Sequence, residues 1–474
     1  MLIGREKQQK ILKEAYISAG SEFIVVYGRR RVGKTFLTKK VLGPKFNFDM
    51  IGIQGGSLKD QLETFSEKLA EYGFRTLHSQ KPKTWRQAFT LLKQHLSVSR
   101  SKKKKIIFLD ELPWLASHKS KFLSMLGYFW NDWAVDNNVL LVVCGSAASW
   151  MIKNILNNKG GLHNRVTQYI SLQPFSLGET EKLLKTKNIK IDRYQVIQLY
   201  MALGGIPYYL ELLKPNQSIP QNIDRLCFDV DGFLRDEFNR LFKSLFDKSE
   251  SHVDIVKALA SKWKGLTRNE IAKITGMSNS GNLTRKLDEL EKSAFIQAYF
   301  PFDKKKKGKL YRLIDNFCLF YLKMISNRNL RNQKGVFLQL FSSQKYIAWC
   351  GYAFENTCFI HNYQIAKALG VSSIMHEFSS FNFKGDNTYN GIQIDLLIDR
   401  ADSVINMCEV KFSNSDFILT PAYKKKLKER ASIFTAITAS RKTIFTTLIT
   451  TYGLSKRDAH TDTIQNVVCM DDLF

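Results

Sequence analysis

Short, continuous runs of apolar residues alternate with helix-forming stretches over residues 1 to about 175. Three runs are prominent, at Phe23–Tyr27, Lys105–Asp110 and Val139–Cys144. Because they are apolar at nearly every position, they are typical of parallel strands that are buried on both faces. The pattern therefore predicts an α/β domain, in which helices cover a parallel sheet.

The segment after the first run, Gly28–Thr35, reads GRRRVGKT and fits the phosphate-binding pattern G-x-x-x-x-G-K-[ST]. The backbone N–H groups of such a loop, with the helix that follows, surround phosphate oxygens. Lys34 would reach the β- and γ-phosphates of ATP, and the Thr35 hydroxyl would bind Mg²⁺. The expected nucleotide-binding residues are Gly28, Arg29, Arg30, Arg31, Val32, Gly33, Lys34, Thr35 and Phe36. The alternative is a glycine turn within a solvated basic cluster.

The other two runs end in polar residues, where a doubly wound sheet collects its ligands. Asp110 would face the Mg²⁺ bound at Thr35, and Glu111 would orient or deprotonate the attacking water. Ser146 could sense the γ-phosphate from the end of a neighbouring strand. Ordinary strand exits and turns also contain such residues, so both assignments have a structural alternative.

The charge balance points to a polyanionic partner. The 474 residues include 71 Lys and Arg against 43 Asp and Glu, a formal net charge of +28. Such an excess favours binding to nucleic acid, and we expect DNA. Lysine runs at Lys102–Lys105, Lys304–Lys307 and Lys424–Lys426 contribute to it, although a single run is more often a solvated surface, and an AT-rich genome also favours lysine codons.

Several classes of protein are disfavoured by what the sequence lacks. No apolar run approaches the length of a membrane span, and the first residues do not resemble a signal peptide. The seven cysteines form no CxxC pair and the eight histidines show no ligand spacing, so zinc is not expected. We expect a cytoplasmic protein with reduced cysteines and no membrane partner.

The middle of the chain predicts two further modules. A capping box at Ser176–Glu179 opens a helical stretch, which Gly204–Pro207 interrupts as a simple turn or as part of a lid over the nucleotide. Residues from about His252 to Arg312 predict a winged helix, with Lys304–Lys307 at the tip of its hairpin. The functional interpretation places Arg285 and Lys286 near DNA, and the alternative is a packing module between domains.

A second constellation of charged residues lies near the C-terminus. Asp395 is on one predicted strand, and Glu409 and Lys411 lie two apart on the next, so their side chains share a face. Glu355, on a predicted upstream helix, would be a further metal ligand. The carboxylates of Asp395, Glu409 and Glu355 would hold Mg²⁺ or Mn²⁺, and Lys411 would stabilise the phosphate in the transition state. A surface salt-bridge cluster and an inactive nuclease-like fold are the two alternatives.

The domain division follows from these patterns. The expected fold is α/β, a P-loop parallel sheet followed by three smaller modules. The predicted boundaries are 1–175 for the ATPase core, 176–248 for a helical lid, 249–328 for a winged helix, and 329–474 for a PD-(D/E)XK nuclease-like α/β domain.

The order of motifs resembles a known family. GRRRVGKT, IIFLDE, QPFSLGE and GGIPYYL, followed by GYAFE and the IDLL and CEVKF pair, are similar to the prokaryotic archaeal-type P-loop ATPases, close to the AAA+ and STAND groups. The resemblance implies an ATP-dependent protein that handles DNA and has a nuclease-like C-terminal domain. It also implies that Pro207 lies near the adenine. Relatives often have glycine before a finger arginine that reaches a neighbouring subunit, whereas Asn164 precedes Arg165 here.

The resulting hypothesis is an ATPase whose nucleotide cycle controls DNA binding and metal-dependent DNA cleavage. Assembly into a homo-oligomer is compatible with this hypothesis. A switch that binds nucleic acid or a partner without cutting is the main alternative. A promoter-specific regulator is a third.

Overall fold

The computed structural model describes residues 2–74, 81–98, 103–117, 120–157, 160–246, 248–302, 308–326, 335–458 and 462–474. The chain forms two compact units, Met1–Gln173 and Pro174–Phe474.

The first unit is built on a five-stranded parallel sheet with strand order β2-β3-β4-β1-β5. Its strands are β1 Glu22–Tyr27, β2 Phe46–Ile51, β3 Lys105–Asp110, β4 Val139–Gly145 and β5 Gln168–Ser171. Its helices are α1 Glu6–Ile17, α2 Lys34–Leu42, α3 Leu58–Glu71, α4 Trp85–Val98, α5 Leu112–Leu115, α6 Phe122–Asp132 and α7 Ala148–Met151. The three strands predicted from apolar runs are confirmed as β1, β3 and β4.

Aromatic side chains fill the space between this sheet and its helices. Phe23 of β1 lies with its ring centroid 5.1 Å from that of Trp130 on α6. Trp85 meets Phe122 edge to face at 4.7 Å, and both rings are buried. Such rings bury a large apolar area and pack in well-defined geometries, which stabilises the sheet that carries the candidate site.

One residue of the first lysine run has an internal role. The Lys104 side chain is buried, and its Nζ donates to the Ala15 carbonyl at 2.9 Å, the Gly20 carbonyl at 2.6 Å and the Ser18 hydroxyl at 2.6 Å. A cation at the C-terminal end of helix α1 satisfies carbonyls that the helix leaves without partners and matches the helix dipole. Lys104 therefore does not belong to a solvated basic surface, and Lys102 of the same run lies outside the described residues.

The second unit begins with five helices. They are α8 Leu177–Thr186, α9 Arg193–Leu203, α10 Pro207–Glu211, α11 Ile219–Cys227 and α12 Glu237–Leu245. The capping box predicted at Ser176 and Glu179 is confirmed at the start of α8, and the predicted interruption at Gly204–Pro207 separates α9 from α10.

A small module of helices and strands follows. Its elements are α13 Glu250–Ala260, β6 Leu266–Thr267, α14 Arg268–Thr275, α15 Gly281–Lys292, β7 Ile296–Tyr299 and β8 Leu310–Leu313. The strands form an antiparallel sheet with the order β6-β8-β7. The predicted lysine tip, Lys304–Lys307, lies outside the described residues.

The expectation that both Arg285 and Lys286 face DNA is wrong for Lys286. Arg285 is exposed on α15, but Lys286 is only 8% exposed. Lys286 is three residues after Leu283 and four before Leu290, so it shares the buried face of the helix with these leucines. The spacing of Lys286 from these leucines therefore explains why its side chain is buried, despite its charge.

The remainder of the second unit contains a five-stranded mixed sheet, β13-β12-β11-β10-β9. The strands are β9 His376–Gly385, β10 Asn390–Arg400, β11 Val404–Lys411, β12 Thr443–Thr450 and β13 Asn466–Val468. The helices are α16 Asn316–Phe320, α17 Val336–Phe341, α18 Gln344–Ile360, α19 Asn362–Ala368 and α20 Pro421–Thr438. β9, β10 and β11 are antiparallel, whereas β11 and β12 are parallel and connected through α20.

A buried hydrogen-bond network joins α9, α16 and α18 around Asn356. The Asn356 amide nitrogen donates to the Asn316 side-chain oxygen at 2.9 Å, and its oxygen accepts from Arg312 Nε at 3.1 Å. Asn316 in turn donates to the Tyr200 carbonyl of α9 at 3.1 Å. These polar groups specify the relative placement of the three helices, because a buried group without a partner is costly.

Within the described ranges, none of the helices is long and apolar enough to cross a bilayer. None of the seven cysteines, all of which lie within the described residues, forms a disulfide.

The His361 side chain should make the second unit sensitive to acid. It accepts a hydrogen bond from the Leu177 backbone N–H through Nε2 at 3.1 Å, while Nδ1 lies 2.9 Å from the Thr357 carbonyl. Burial lowers the pKa of His361 from 6.5 to about 4. The unfolded chain therefore takes up a proton first, so the stability that neutral His361 contributes is complete above pH 6.5 and is lost as the pH falls towards 4.

We expect this group to account for about 3 kcal/mol of acid destabilisation. Urea unfolding of the full chain across this pH range should show a shallower acid dependence for His361→Gln, since glutamine does not titrate. His376→Gln, at a half-exposed position, is the matched control. Identical pH dependences for wild type and His361→Gln would contradict this role.

Candidate functional site

The loop between β1 and α2 has the conformation that close phosphate contact requires. Gly28 adopts φ +149°, and a Cβ at this position would lie 2.3 Å from the Leu172 carbonyl oxygen. Only glycine fits here without displacing the backbone of the segment after β5. Gly33 then forms the N-cap of α2, so the helix N-terminus opens directly onto the loop.

The Lys34 side chain folds back over the phosphate-binding loop. It is 5% exposed, and its Nζ donates to the Arg29 carbonyl at 3.0 Å. Burial lowers the pKa of Lys34, while the charges of Glu111 and Asp110 act in the opposite direction. An ammonium group that is removed from water in this way interacts strongly with an anion that enters the loop.

The other predicted loop residues differ in exposure. Arg29 and Val32 are buried, whereas Arg30 and Arg31 are partly exposed. The Phe36 side chain is 48% exposed on α2. The three arginines of the loop thus differ in how deeply their side chains are buried. That they contact the nucleotide remains a prediction.

Thr35 and Asp110 join the loop to the third strand. Thr35 Oγ1 donates to Asp110 Oδ2 at 2.6 Å, and Asp110 is 2% exposed. Burial raises the pKa of Asp110, and the Thr35 hydrogen bond opposes that shift. A hydroxyl and a carboxylate are hard oxygen donors of the kind that Mg²⁺ prefers, so the pair fits the expected metal.

Glu111 is held by Ser146, a contact that links the two predicted site residues. Glu111 Oε2 accepts from the Ser146 hydroxyl at 2.8 Å and from the Ser146 backbone N–H at 3.1 Å. Glu111 itself has a left-handed backbone, φ 46°, where β3 turns into α5. Ser146 therefore positions the candidate base, whereas its sensing of a γ-phosphate remains a prediction.

The strand order explains why these residues meet. β4 lies between β3 and β1, so Ser146 at its end is placed between the acids and the loop. Because all three strands are parallel, their carboxyl ends face the same edge of the sheet. The structure thus brings together Lys34, Thr35, Asp110, Glu111 and Ser146.

Two residues assigned by resemblance are placed elsewhere in the chain. Pro207 is the first residue of α10 in the second unit, after the N-cap Ile206. Arg165 is exposed in the first unit, after Asn164 with φ 54°. Their roles at adenine and at a neighbouring subunit remain predictions.

At the second constellation, Glu409 is surrounded by donors. Its carboxylate pairs with Lys411 Nζ at 2.9 Å and Arg430 Nη1 at 2.6 Å, and it accepts a hydrogen bond from the Tyr423 hydroxyl. Burial would raise the pKa of Glu409, but the charges of Lys411 and Arg430 outweigh it and hold the pKa below its usual range. The expectation that Glu409 and Lys411 share a face is confirmed by their contact.

Asp395 has a different cation partner. It pairs with Lys264 Nζ at 2.9 Å and accepts from Gln393 Nε2 at 2.9 Å. The register between β9 and β10 shifts between Ile394 and Leu397, so Asp395 lies at an irregularity of the strand.

Glu355 lies close enough to Asp395 for the charge of Asp395 to affect it. Burial, with the nearby Asp395 charge, raises the pKa of Glu355 to about 7. Arg312, Lys264 and Lys411 oppose the shift. The donors have the chemistry that Mg²⁺ or Mn²⁺ prefers, but in this arrangement protein cations balance them, and no group of three His, Cys, Asp or Glu side chains suited to a metal occurs in the described part of the chain.

We call the carboxylates of Asp395, Glu409 and Glu355 the acidic cluster. Four of its partners were not predicted from the sequence, namely Lys264, Arg312, Tyr423 and Arg430. Lys264 and Arg312 come from the preceding module, more than 80 residues from Asp395 in the chain. No local pattern connects them to the acids. Tyr423 and Arg430 are seven apart on α20, a spacing that places both on one helix face and could have indicated a shared partner.

Comparisons with known proteins agree with the first of the two sites. The family model described as an ATPase domain predominantly from Archaea matches residues 2–213, which extends beyond the first unit to the end of the α8–α10 helices. A relative from Methanocaldococcus jannaschii, the uncharacterized protein MJECL04, is 28% identical over 424 residues, covering 87% of this chain and 88% of the relative.

A solved structure shares the fold. The Walker-type ATPase PABY2304 of Pyrococcus abyssi is similar with a TM-score of 0.53 at 17% identity, and the likeness covers 68% of this chain and 96% of that protein. The matched family model, the parallel sheet and the phosphate loop together support an ATPase domain that binds and hydrolyses ATP, and the solved structure shows that its fold is shared.

Proposed function

We propose that this chain is an ATPase that couples its nucleotide state to DNA binding and to metal-dependent DNA cleavage. The observation that carries the ATPase part is the convergence of Lys34, Thr35, Asp110, Glu111 and Ser146 at three neighbouring strand ends. Each has a defined protein partner, and such positioning is the preorganisation that phosphoryl transfer requires.

The chemistry follows from the placement of these side chains. The loop amides and Lys34 bind the β- and γ-phosphates, and Lys34 offsets the charge that develops on the leaving oxygen. Glu111 orients a water molecule towards the γ-phosphate and takes up its proton, and Ser146 holds the Glu111 carboxylate in position. Bound Mg²⁺ would neutralise phosphate charge, with Thr35 and Asp110 as the residues that hold it.

DNA binding is supported by the net charge of +28 and by the module from α13 to β8. Its order of helix, strand, two helices and two strands is that of a winged helix. Arg285 is an exposed cation on its third helix, α15, and its side chain is 67% exposed. An exposed arginine on the recognition helix of such a module is suited to a phosphate or a base edge.

Cleavage is supported by the sequence of elements around the acidic cluster. A helix bearing Glu355 precedes an antiparallel β9-β10-β11 unit, then α20 and the parallel strand β12. This αβββαβ arrangement resembles that of PD-(D/E)XK nucleases, with Asp395 on the second strand and Glu409 and Lys411 on the third. Mg²⁺ or Mn²⁺ would be held by Asp395, Glu409 and Glu355 once these carboxylates are released from protein cations.

A second candidate function is an ATP-dependent switch that binds nucleic acid and cuts nothing. It is favoured by the saturation of Glu409 by Lys411, Arg430 and Tyr423. In that case the acidic cluster is a structural ion-pair network, and the nucleotide site alone is catalytic.

ATP turnover should depend on Lys34. We expect Lys34→Ala to lower phosphate release from ATP by roughly 100-fold, because the charge facing the γ-phosphate is lost. Lys40→Ala, an exposed lysine on the same helix, should leave turnover unchanged. Wild-type turnover by the purified Lys34→Ala protein would refute the assignment of the active site.

DNA affinity should fall as salt rises, because phosphate contacts release counterions. We expect Arg285→Ala to reduce the slope of log affinity against log salt by about 1. Lys190→Ala, an exposed lysine of the α8–α9 connection, should keep the wild-type slope. Fluorescence anisotropy with a duplex oligonucleotide measures the affinity and its dependence on salt. If the slope of Arg285→Ala equals that of wild type, DNA does not contact Arg285.

Cleavage should depend on Lys411. With supercoiled plasmid, ATP and Mn²⁺, we expect wild type to form nicked product and Lys411→Ala to form at most about a hundredth as much, because Lys411 stabilises charge on the scissile phosphate. Lys384→Ala, exposed on β9, is the control. Equal nicking by wild type and Lys411→Ala, or none by either, favours the non-cutting switch.

A further inference from the structure

A turn of the preceding module delivers one cation into the acidic cluster. Lys264 lies in the turn before β6, and Gly265 follows it with φ +86°. A Cβ at Gly265 would lie 2.3 Å from the Tyr311 carbonyl oxygen of β8, so the turn closes against that strand only because the residue is glycine.

The backbone of Lys264 is fixed as well. Tyr299 Oη donates to the Lys264 carbonyl at 2.6 Å and shares a hydrogen bond of 3.1 Å with Ser380 Oγ on β9. Tyr299 and Ser380 are both buried. The turn is therefore attached to its own sheet and to the sheet that carries Asp395.

The Lys264 side chain is placed where a cation is needed. Its Nζ lies 2.9 Å from Asp395 Oδ1, and the side chains of the pair are only 22% and 28% exposed. Burial lowers the pKa of Lys264, while Asp395 and Glu355 act against that shift. A half-buried ammonium beside a carboxylate supplies the charge that a bound metal would otherwise supply.

The local charges already balance. Asp395 and Glu355 face Lys264 and Arg312, and Arg312 is 4% exposed with its Nε on Asn356. With Glu355 ionised these four side chains carry no net charge, and a divalent cation beside Asp395 would add two positive charges to them. Because such repulsion is weakly screened at low exposure, Lys264 and a metal ion compete for the same carboxylate.

We propose that Lys264 is an internal counter-cation that blocks the metal position beside Asp395, so that the cluster accepts a divalent metal only when the Lys264 turn moves away. This inference rests on the proposed metal-dependent function of the same acids. It assigns the module from α13 to β8 a second task besides DNA contact, which is to keep the acidic cluster latent.

The test is Mn²⁺ binding to the full chain without nucleotide, measured by electron paramagnetic resonance of free Mn²⁺. The binding that Asp395→Asn removes is the part that belongs to the cluster. We expect Lys264→Met to raise the affinity of that part by about tenfold or more, because a competing charge is removed. Lys264→Arg, which keeps the charge, should bind like wild type.

A second variant keeps the test decisive if Lys264→Met folds poorly. Tyr299→Phe removes the hydrogen bond to the Lys264 carbonyl without changing any charge, and it should raise Mn²⁺ affinity to a smaller extent. Unchanged affinity in both Lys264→Met and Tyr299→Phe, with Asp395→Asn still reducing it, would overturn the block but leave the metal site standing. If Asp395→Asn has no effect in any background, the metal site and the block both fail.

Discussion

The hydrogen bond from the Thr35 hydroxyl to the Asp110 carboxylate is the contact on which the first unit's chemistry depends. It is 2.6 Å long and joins the first turn of α2, directly after the phosphate loop, to a buried strand end. A charged acceptor makes this bond shorter and stronger than a neutral pair would be. Because Asp110 is almost wholly buried, the loop inherits the rigidity of the sheet, and Glu111 and Ser146 are placed relative to the same strand ends.

Part of the positive charge of this chain is used internally. Lys104 closes the end of α1, Lys34 lies over the Arg29 carbonyl, and Lys264 pairs with Asp395. Lys286 and Arg312 are buried as well. The net charge of +28 therefore overstates the basic surface available to a polyanion, although the exposed residues of α15 and α20 still provide one.

The sequence predicted those parts of the structure that depend on neighbouring residues. Strands β1, β3 and β4 are recognisable because both of their faces are buried, and the capping box at Ser176 because its two partners are three residues apart. β2 contains Asn47 and Asp49 and lacks that continuous apolar pattern.

Contacts between distant segments could not be predicted in the same way. The Ser146–Glu111 hydrogen bond can be predicted only if β4 is known to lie beside β3. That information is given by the order of the strands in the folded sheet. Lys264 reaches Asp395 across two modules, and the burial of Lys286 follows from a leucine face that its charge obscured. Tertiary packing thus determines which partner an isolated charged residue contacts. Local sequence propensity gives no information about that packing.

The network around Asn356 has a consequence for movement within the second unit. Its amide donates to Asn316 and accepts from Arg312, and Asn316 is in turn tied to Tyr200 in α9. Displacing α9 against α18 by a small amount would leave several buried polar groups without partners simultaneously, whereas a larger step would let water or new partners satisfy them. These helices are therefore suited to discrete, all-or-none rearrangement rather than to graded drift.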